Sequence, residues 1–192
     1  MNIRIIPRLD IKGPNLVKGI QLEGLRVLGK PSEFAEFYYK NGADEILYMD
    51  VVASLYGRNS LNEIIEKTAN EVFIPLTVGG GLKSLNDIES VLRSGADKVV
   101  INTAAVKNPS FISQATREFG SSTIAISIEA IKQESDSYMA YTDNGREYTG
   151  LNILVIALPS MFLRLAHCRC TYFYLTGLFE LLRSTQQPKG LF

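Results

Sequence analysis

Apolar, β-branched runs recur along the first part of the chain, at residues 3–11, 45–52, 73–78, 98–102 and 123–128. They lack strict alternation, which is the pattern of strands covered on both faces. Between them the apolar positions shift to helical spacing. Ser32 is placed to cap a helix through Phe34, Phe37 and Tyr38 that stops at Asn41-Gly42. Ser60-Leu61-Asn62-Glu63 reads as a capping box ahead of the stripe Leu61, Ile64, Ile65, Ala69. Ser84 and Asp87 repeat that arrangement before Ile88, Val91 and Leu92, with Gly95 at the end. Asn108-Pro109 opens a fourth helix that runs to about Gly120. Strand and helix in alternation predict a parallel sheet built of βαβ units.

An internal repeat supports this order. Gly42-Ala43-Asp44-Glu45-Ile46-Leu47 returns two strand–helix units later as Gly95-Ala96-Asp97-Lys98-Val99-Val100. Residues 138–148, with Asp143-Asn144-Gly145 between Tyr- and Thr-rich runs, read as a hairpin after the fifth strand. The predicted fold is α/β, a parallel (βα) barrel of TIM type with about five of its eight strands. A complete barrel of that kind needs about 250 residues, and this chain has 192. The predicted division is a partial barrel domain over 1–150 and an atypical apolar tail over 151–192. The tail holds no aspartate, yet carries both cysteines and the single histidine. That abrupt change reads as a shift of reading frame near residue 151.

Composition narrows the function classes. The 20 basic and 20 acidic residues balance, so a basic nucleic-acid-binding surface has no support. The apolar stretch 151–166 is interrupted by Pro159 and Arg164, which argues against a membrane span. No signal peptide is read at the charged N-terminus, and the cysteines form no disulfide framework, so the expected location is the cytoplasm. His167-Cys168-Arg169-Cys170 has no second ligand cluster and makes a poor zinc site. Neither a metal nor a cofactor is expected.

In parallel α/β folds, chemistry gathers where strands end. Those positions carry Asp10, Asp50, Gly79-Gly80-Gly81, Asn102-Thr103 and Glu129. Asp10 is the candidate general acid or base, with a structural loop-capping carboxylate as the alternative. Asp50 reads as a supporting group or an acceptor for nearby backbone N–H. Gly80 and Gly81 let backbone amides approach a phosphate, with the helix start near Ser84 beside them; a tight turn is the plainer alternative. Asn102 and Thr103 are donors placed for the same phosphate, or else caps of the strand end.

Several motifs together are highly specific: Arg4-Ile5-Ile6-Pro7-Arg8-Leu9-Asp10-Ile11-Lys12, Val17-Lys18-Gly19, Gly42-Ala43-Asp44-Glu45, Met49-Asp50, Pro75-Leu76-Thr77-Val78-Gly79-Gly80-Gly81, and the segment from Gly95 to Val106. Over residues 1–150 the chain resembles the cyclase subunits of imidazole glycerol phosphate synthase. The resemblance implies a (βα)₈ barrel of two half-barrels, each with a phosphate site. It implies a phosphorylated small-molecule substrate and ammonia from a glutaminase partner at the opposite barrel face. The implied reaction cyclises a ribulosyl aminoimidazole carboxamide nucleotide to imidazole glycerol phosphate in histidine biosynthesis. By the same resemblance Asp10 and Glu129 are catalytic, and Lys18, Asp50, Gly80, Gly81, Asn102 and Thr103 bind substrate or its phosphate. Arg4, Glu45 and Lys98 belong to a charged ring where ammonia enters.

The chain departs from that family at four places. Arg8 replaces a small residue beside the catalytic aspartate, Gly13-Pro14-Asn15 replaces an acidic turn, and Glu129 replaces an aspartate. Residues 151–192 match nothing in the family's second half, which implies impaired activity. These departures keep two other functions open. One is amidation of a surface-polysaccharide sugar to an acetamidino group by a paralogue. The other is a non-catalytic, phosphate-binding half-barrel.

Overall fold

The computed structural model describes residues 3–20, 23–53, 61–133, 137–143, 145–153 and 172–176. Strand β1 (Arg8–Lys12) is followed by a hairpin of β2 (Asn15–Ile20) and β3 (Glu23–Gly29), then α1 (Pro31–Lys40) and β4 (Ile46–Asp50). Next come α2 (Asn62–Glu71), β5 (Leu76–Gly79), α3 (Leu85–Arg93) and β6 (Lys98–Ile101). The short α4 (Thr103–Lys107), α5 (Ser110–Phe119) and β7 (Ile124–Lys132) precede the hairpin of β8 (Tyr138–Thr142) and β9 (Glu147–Asn152). Strand β10 (Tyr172–Thr176) comes last.

The sheet runs β3-β2-β1-β4-β5-β6-β7-β8-β9, with β10 also on β7. The pairs β1–β4, β4–β5, β5–β6, β6–β7 and β7–β10 are parallel. Among the described residues the sheet does not close on itself. The expected parallel strands, about five, are β1, β4, β5, β6 and β7, and β10, from the atypical tail, adds one more beside β7 from Ala125 to Glu129. Residues 154–171 and 177–192 of the tail, including His167 to Cys170, lie outside the described residues, as does the frame-shift reading that rests on them.

Side chains alternate across the sheet as the pleat requires. Ile46, Tyr48, Val78, Val99, Ile101, Ile124 and Ile126 join the helices' Ala35, Ile65, Ile88, Val91 and Ala115 in one core. Leu47, Met49, Val51, Val100 and Ala125 form a second cluster with Val17 of the β2–β3 hairpin. Strand β4 is therefore buried along its whole length, which explains the apolar run Ile46–Met49 that precedes Asp50.

The 53-residue repeat carries a repeated job. The Asp44 and Asp97 carboxylates accept hydrogen bonds from the backbone N–H of Ile5 and Leu76, at 2.7 and 2.8 Å. Each aspartate also donates its own N–H to the carbonyl of the same residue, at 2.9 Å. The two motifs thus tether equivalent strand beginnings, after helices turned out through left-handed Gly42 and Gly95.

Helix caps differ in detail from expectation. The Ser84–Asp87 capping box is formed reciprocally. Ser32 is not a cap; Lys30 holds that position, Pro31 opens α1, and Ser32 is buried in the first turn. Ser60 lies outside the described residues, and α2 begins at Asn62 without a side-chain cap. The β2–β3 hairpin and α4 were not foreseen. Lys18 and Arg26 face each other on the hairpin, and its mixed polarity hides the strand pattern.

Candidate active site

The C-terminal ends of β4, β5 and β6 converge with β7 on one cleft. Asp50 ends β4, Gly80 and Gly81 follow β5, Asn102 and Thr103 follow β6, and Glu129 lies on β7. Lys83, Ser127 and Asp143 complete its polar lining, and its empty space, open to solvent, is about 540 Å³. Five of the six residues predicted to bind substrate or phosphate stand together here. Lys18 does not line the cleft. It lies exposed on the β2–β3 hairpin, opposite Arg26.

Why glycine stands at two of these positions is a matter of space. A Cβ on Gly80 would collide with the backbone of Asp50, and one on Gly81 would sit 2.5 Å from the Ala53 Cβ. Both residues also have positive φ, 104° and 69°. Only glycine gives this combination of left-handed backbone and close strand approach. Asp50 holds the turn on the other side. Its Oδ1 accepts from the N–H groups of Val52 and Ala53 at 3.0 and 2.9 Å. Burial pushes its carboxyl pKa up, and these two amides pull it back.

Glu129 has a similar balance of forces. Burial raises its pKa above the ordinary glutamate value. The Gly145 N–H, which donates to Oε2 at 2.9 Å, opposes that rise, as do Asn102 and the charge of Arg8, while Asp143 adds to it. Asn102 keeps its amide Nδ2 buried and without a hydrogen bond of normal geometry. A buried donor left open at the edge of a cleft suits an acceptor brought by a ligand.

Asp10 stands one strand over. On β1 it pairs with Met49 of β4, and its Oδ1 accepts from Arg8 Nε at 2.7 Å. It lies outside the cleft lining, but the Arg8 charge beside it reaches Glu129.

The opposite end of the sheet gathers the three residues predicted for ammonia entry. Glu45, fully buried, accepts from Arg4 at 3.2 Å, Lys98 Nζ at 3.0 Å and Thr77 Oγ1 at 2.5 Å. Lys98 opens β6 and Glu45 precedes β4, so this cluster lies at the strand beginnings. Thr77 was not foreseen, since a lone threonine inside a buried strand carries no signal of its own.

The β8–β9 hairpin was foreseen, but not its part in the cleft. Its turn brings Gly145 to Glu129, and the Asp143 N–H to Thr103 Oγ1 at 3.5 Å. Asp143 is a non-glycine residue at positive φ, 52°, and the Asp-Asn-Gly motif was the available clue. Among the described residues no group of three His, Cys, Asp or Glu is placed to hold a metal ion. No described helix is long and apolar enough to cross a membrane.

The sequence model of a family described as histidine biosynthesis protein matches residues 4–172. The match extends past Gly150 to the start of β10. The chain is 60% identical over 153 residues to the imidazole glycerol phosphate synthase subunit HisF of Legionella pneumophila, covering 80% of this chain and 72% of that protein. It is 46% identical over 151 residues to the protein of the same name from Bacillus cereus (strain AH187), covering 79% and 60%. A similar relative from Natranaerobius thermophilus is 45% identical over 151 residues.

Proposed function

Because this chain belongs to the histidine biosynthesis protein family, we propose that it works as the cyclase-type subunit of imidazole glycerol phosphate synthase. Its task in this reading is to take ammonia released by a glutaminase partner and close an imidazole ring on a phosphorylated nucleotide. The observation that carries the reading is the cleft itself. Phosphate-type donors at Gly80, Gly81, Asn102 and Thr103 share it with a titratable carboxyl at Glu129.

The geometry supports the following division of labour. Gly80 and Gly81 let the backbone approach a substrate phosphate with no side chain between, beside the buried Asn102 Nδ2 donor. Glu129, with its pKa raised mainly by burial, holds a proton closer to neutral pH than a solvated glutamate does, which suits a general acid. Asp10 is the acid–base partner on β1, held by Arg8. Ammonia enters at the far end of the strands, past Arg4, Glu45 and Lys98, where the glutaminase docks. A cluster whose carboxylate is shared by two cations and a hydroxyl is a rigid frame for such an opening.

Turnover with ammonium salt in place of the glutaminase tests the reading. The full chain, given the ribulosyl aminoimidazole carboxamide nucleotide and ammonium, is expected to form imidazole glycerol phosphate, at a rate lowered by the atypical tail over residues 151–192. Asp10→Asn and Glu129→Gln are each expected to stop it while substrate still binds. No product from the wild-type chain would overturn the cyclase reading. Retained phosphate binding in that case would favour a non-catalytic phosphate-binding barrel.

A further inference from the structure

Counted by charge, the cleft lining is a poor match for a phosphate. Its charged residues are Asp50, Glu129, Asp143 and Lys83, three acids and one base. Asp50 accepts from the N–H groups of Val52 and Ala53, and Glu129 from that of Gly145, so both carboxylates are already engaged within the fold. The glycine turn lets neutral backbone approach a ligand, and Asn102 offers a neutral amide. Neutral groups fix where a phosphate sits. A doubly charged group that faces carboxylates also needs a cation beside it.

The start of α3 does not supply that charge. The Asp87 carboxylate already lies across it, accepting from the N–H groups of Lys83 and Ser84 at 3.0 and 2.9 Å. Asp87 N–H in turn donates to Ser84 Oγ at 3.2 Å. The positive end of the helix is thus met by the chain's own anion. The same bonds hold the backbone at Lys83, and Leu82, 4% exposed, anchors the residue before it. Lys83 therefore leaves a fixed turn, two residues after Gly81, with its side chain exposed. Among the described residues its ammonium makes no hydrogen bond or ion pair.

We propose that Lys83 is the cation of this cleft: its ammonium pairs with the phosphate group of a ligand seated against Gly80, Gly81, Asn102 and Thr103, and so selects a phosphorylated ligand over an uncharged one. The proposal deepens the phosphate-binding part of the reading above and rests on it; it does not rest on the ring-closing chemistry. A compact point charge on a flexible stem suits the task, because it meets the ligand without moving the turn.

Calorimetry with inorganic phosphate and the full chain tests this. Lys83→Gln is expected to weaken phosphate binding about tenfold, Lys83→Glu to weaken it further, and Lys83→Arg to keep most of it. The gap between wild type and Lys83→Gln is expected to narrow as salt is raised, since an exposed charge is screened. All three variants keep the Lys83 N–H bond to Asp87, so an unchanged melting temperature is expected. Lys67→Gln, at an exposed lysine of α2 outside the cleft lining, is expected to bind phosphate as the wild type does. In the ammonium turnover assay, Lys83→Gln is expected to raise KM and leave kcat nearly unchanged. Equal phosphate affinity in wild type and Lys83→Gln, or an equal loss in Lys67→Gln, would overturn the proposal and leave the cyclase reading standing. Phosphate binding that depends on Lys83, in a chain that forms no product, would sink the cyclase reading and keep the proposal. A wild type that binds no phosphate overturns the proposal whatever the turnover.

Discussion

Two glutamates, Glu45 fully buried and Glu129 half-buried, mark the two ends of this sheet, and their surroundings are opposite. Glu45, at the strand beginnings, is wholly removed from water and held by Arg4, Lys98 and Thr77. Glu129, on β7 at the other end, takes a backbone N–H from Gly145 and has only a distant cation in Arg8. Around Glu45 the charge is neutralised by direct contact. Around Glu129 burial wins over the groups that oppose it, and the carboxyl is left ready to titrate. The first arrangement holds an end of the sheet in place. The second leaves charge and an open donor, Asn102 Nδ2, for something brought from outside. Satisfied polar groups build the frame, and unsatisfied ones carry the chemistry.

Breaking the satisfied end gives the largest effect. Glu45→Ala takes from the Lys98 ammonium, 13% exposed, and from the buried Thr77 hydroxyl the carboxylate to which both donate. Removing one partner of a buried ionic group costs about 3 kcal/mol. Urea denaturation is expected to show a lower midpoint with an unchanged slope. Glu45→Gln, which keeps the volume and one acceptor, is expected to lose less. A neutral outcome for Glu45→Ala would erase the contrast between the two ends.

Gly80→Ala comes next and acts at the other end. The new Cβ meets the Asp50 backbone at a residue with φ of 104°. Overpacking and a disfavoured backbone together cost about 2 kcal/mol. Unlike the Glu45 change, it is also expected to weaken phosphate binding, measured by calorimetry. Equal phosphate affinity would remove Gly80 from the cradle.

How far this contrast can be seen in sequence depends on the distance over which each signal acts. The strands β4 to β7 were legible because burial on both faces forces apolar runs, and Gly79-Gly80-Gly81 because few other structures ask for consecutive glycines. The Arg4–Glu45–Lys98 cluster came only through family resemblance. Nothing local ties residues so far apart in the chain. The β2–β3 hairpin escaped because it is a half-exposed ribbon carrying Lys18 and Arg26 among its apolar positions. Ser32 misled because serine before an apolar run resembles a cap, while Pro31 had already opened the helix. The Arg8–Asp10 contact needs no long-range pairing, yet alternation along β1 became meaningful only once the strand's limits were known. The β8–β9 hairpin was legible as a turn, but its docking on Glu129 depends on the register of β8 against β7, which no local signal carries.

Asp50→Ala is a smaller test, and it separates support from substrate contact. It removes the acceptor for Val52 and Ala53 N–H at the turn facing Gly80. The loss of such a cap costs about 1 kcal/mol. Asp50→Asn keeps an acceptor and is expected to recover most of that stability. If Asp50→Asn recovers stability while phosphate affinity stays low, Asp50 touches the ligand as well as the turn.

The smallest effect on stability belongs to Glu129→Gln, and its sign is the sharpest test of the comparison. The folded-state pKa of Glu129 is raised, so the native protein binds this proton more tightly than the unfolded chain does. The resulting contribution to stability is fully present below the unfolded pKa, near 4.3. It fades as pH climbs through the raised folded value. At neutral pH the buried charge is a net cost, which the neutral amide avoids while still offering Gly145 an oxygen acceptor. The variant is therefore expected to be more stable than the wild type at pH 7. The advantage is expected to shrink as pH falls toward 4, in denaturation curves taken across that range. A variant less stable at pH 7 would mean that Glu129 is as well compensated as Glu45, and the two ends of the sheet would no longer differ in kind.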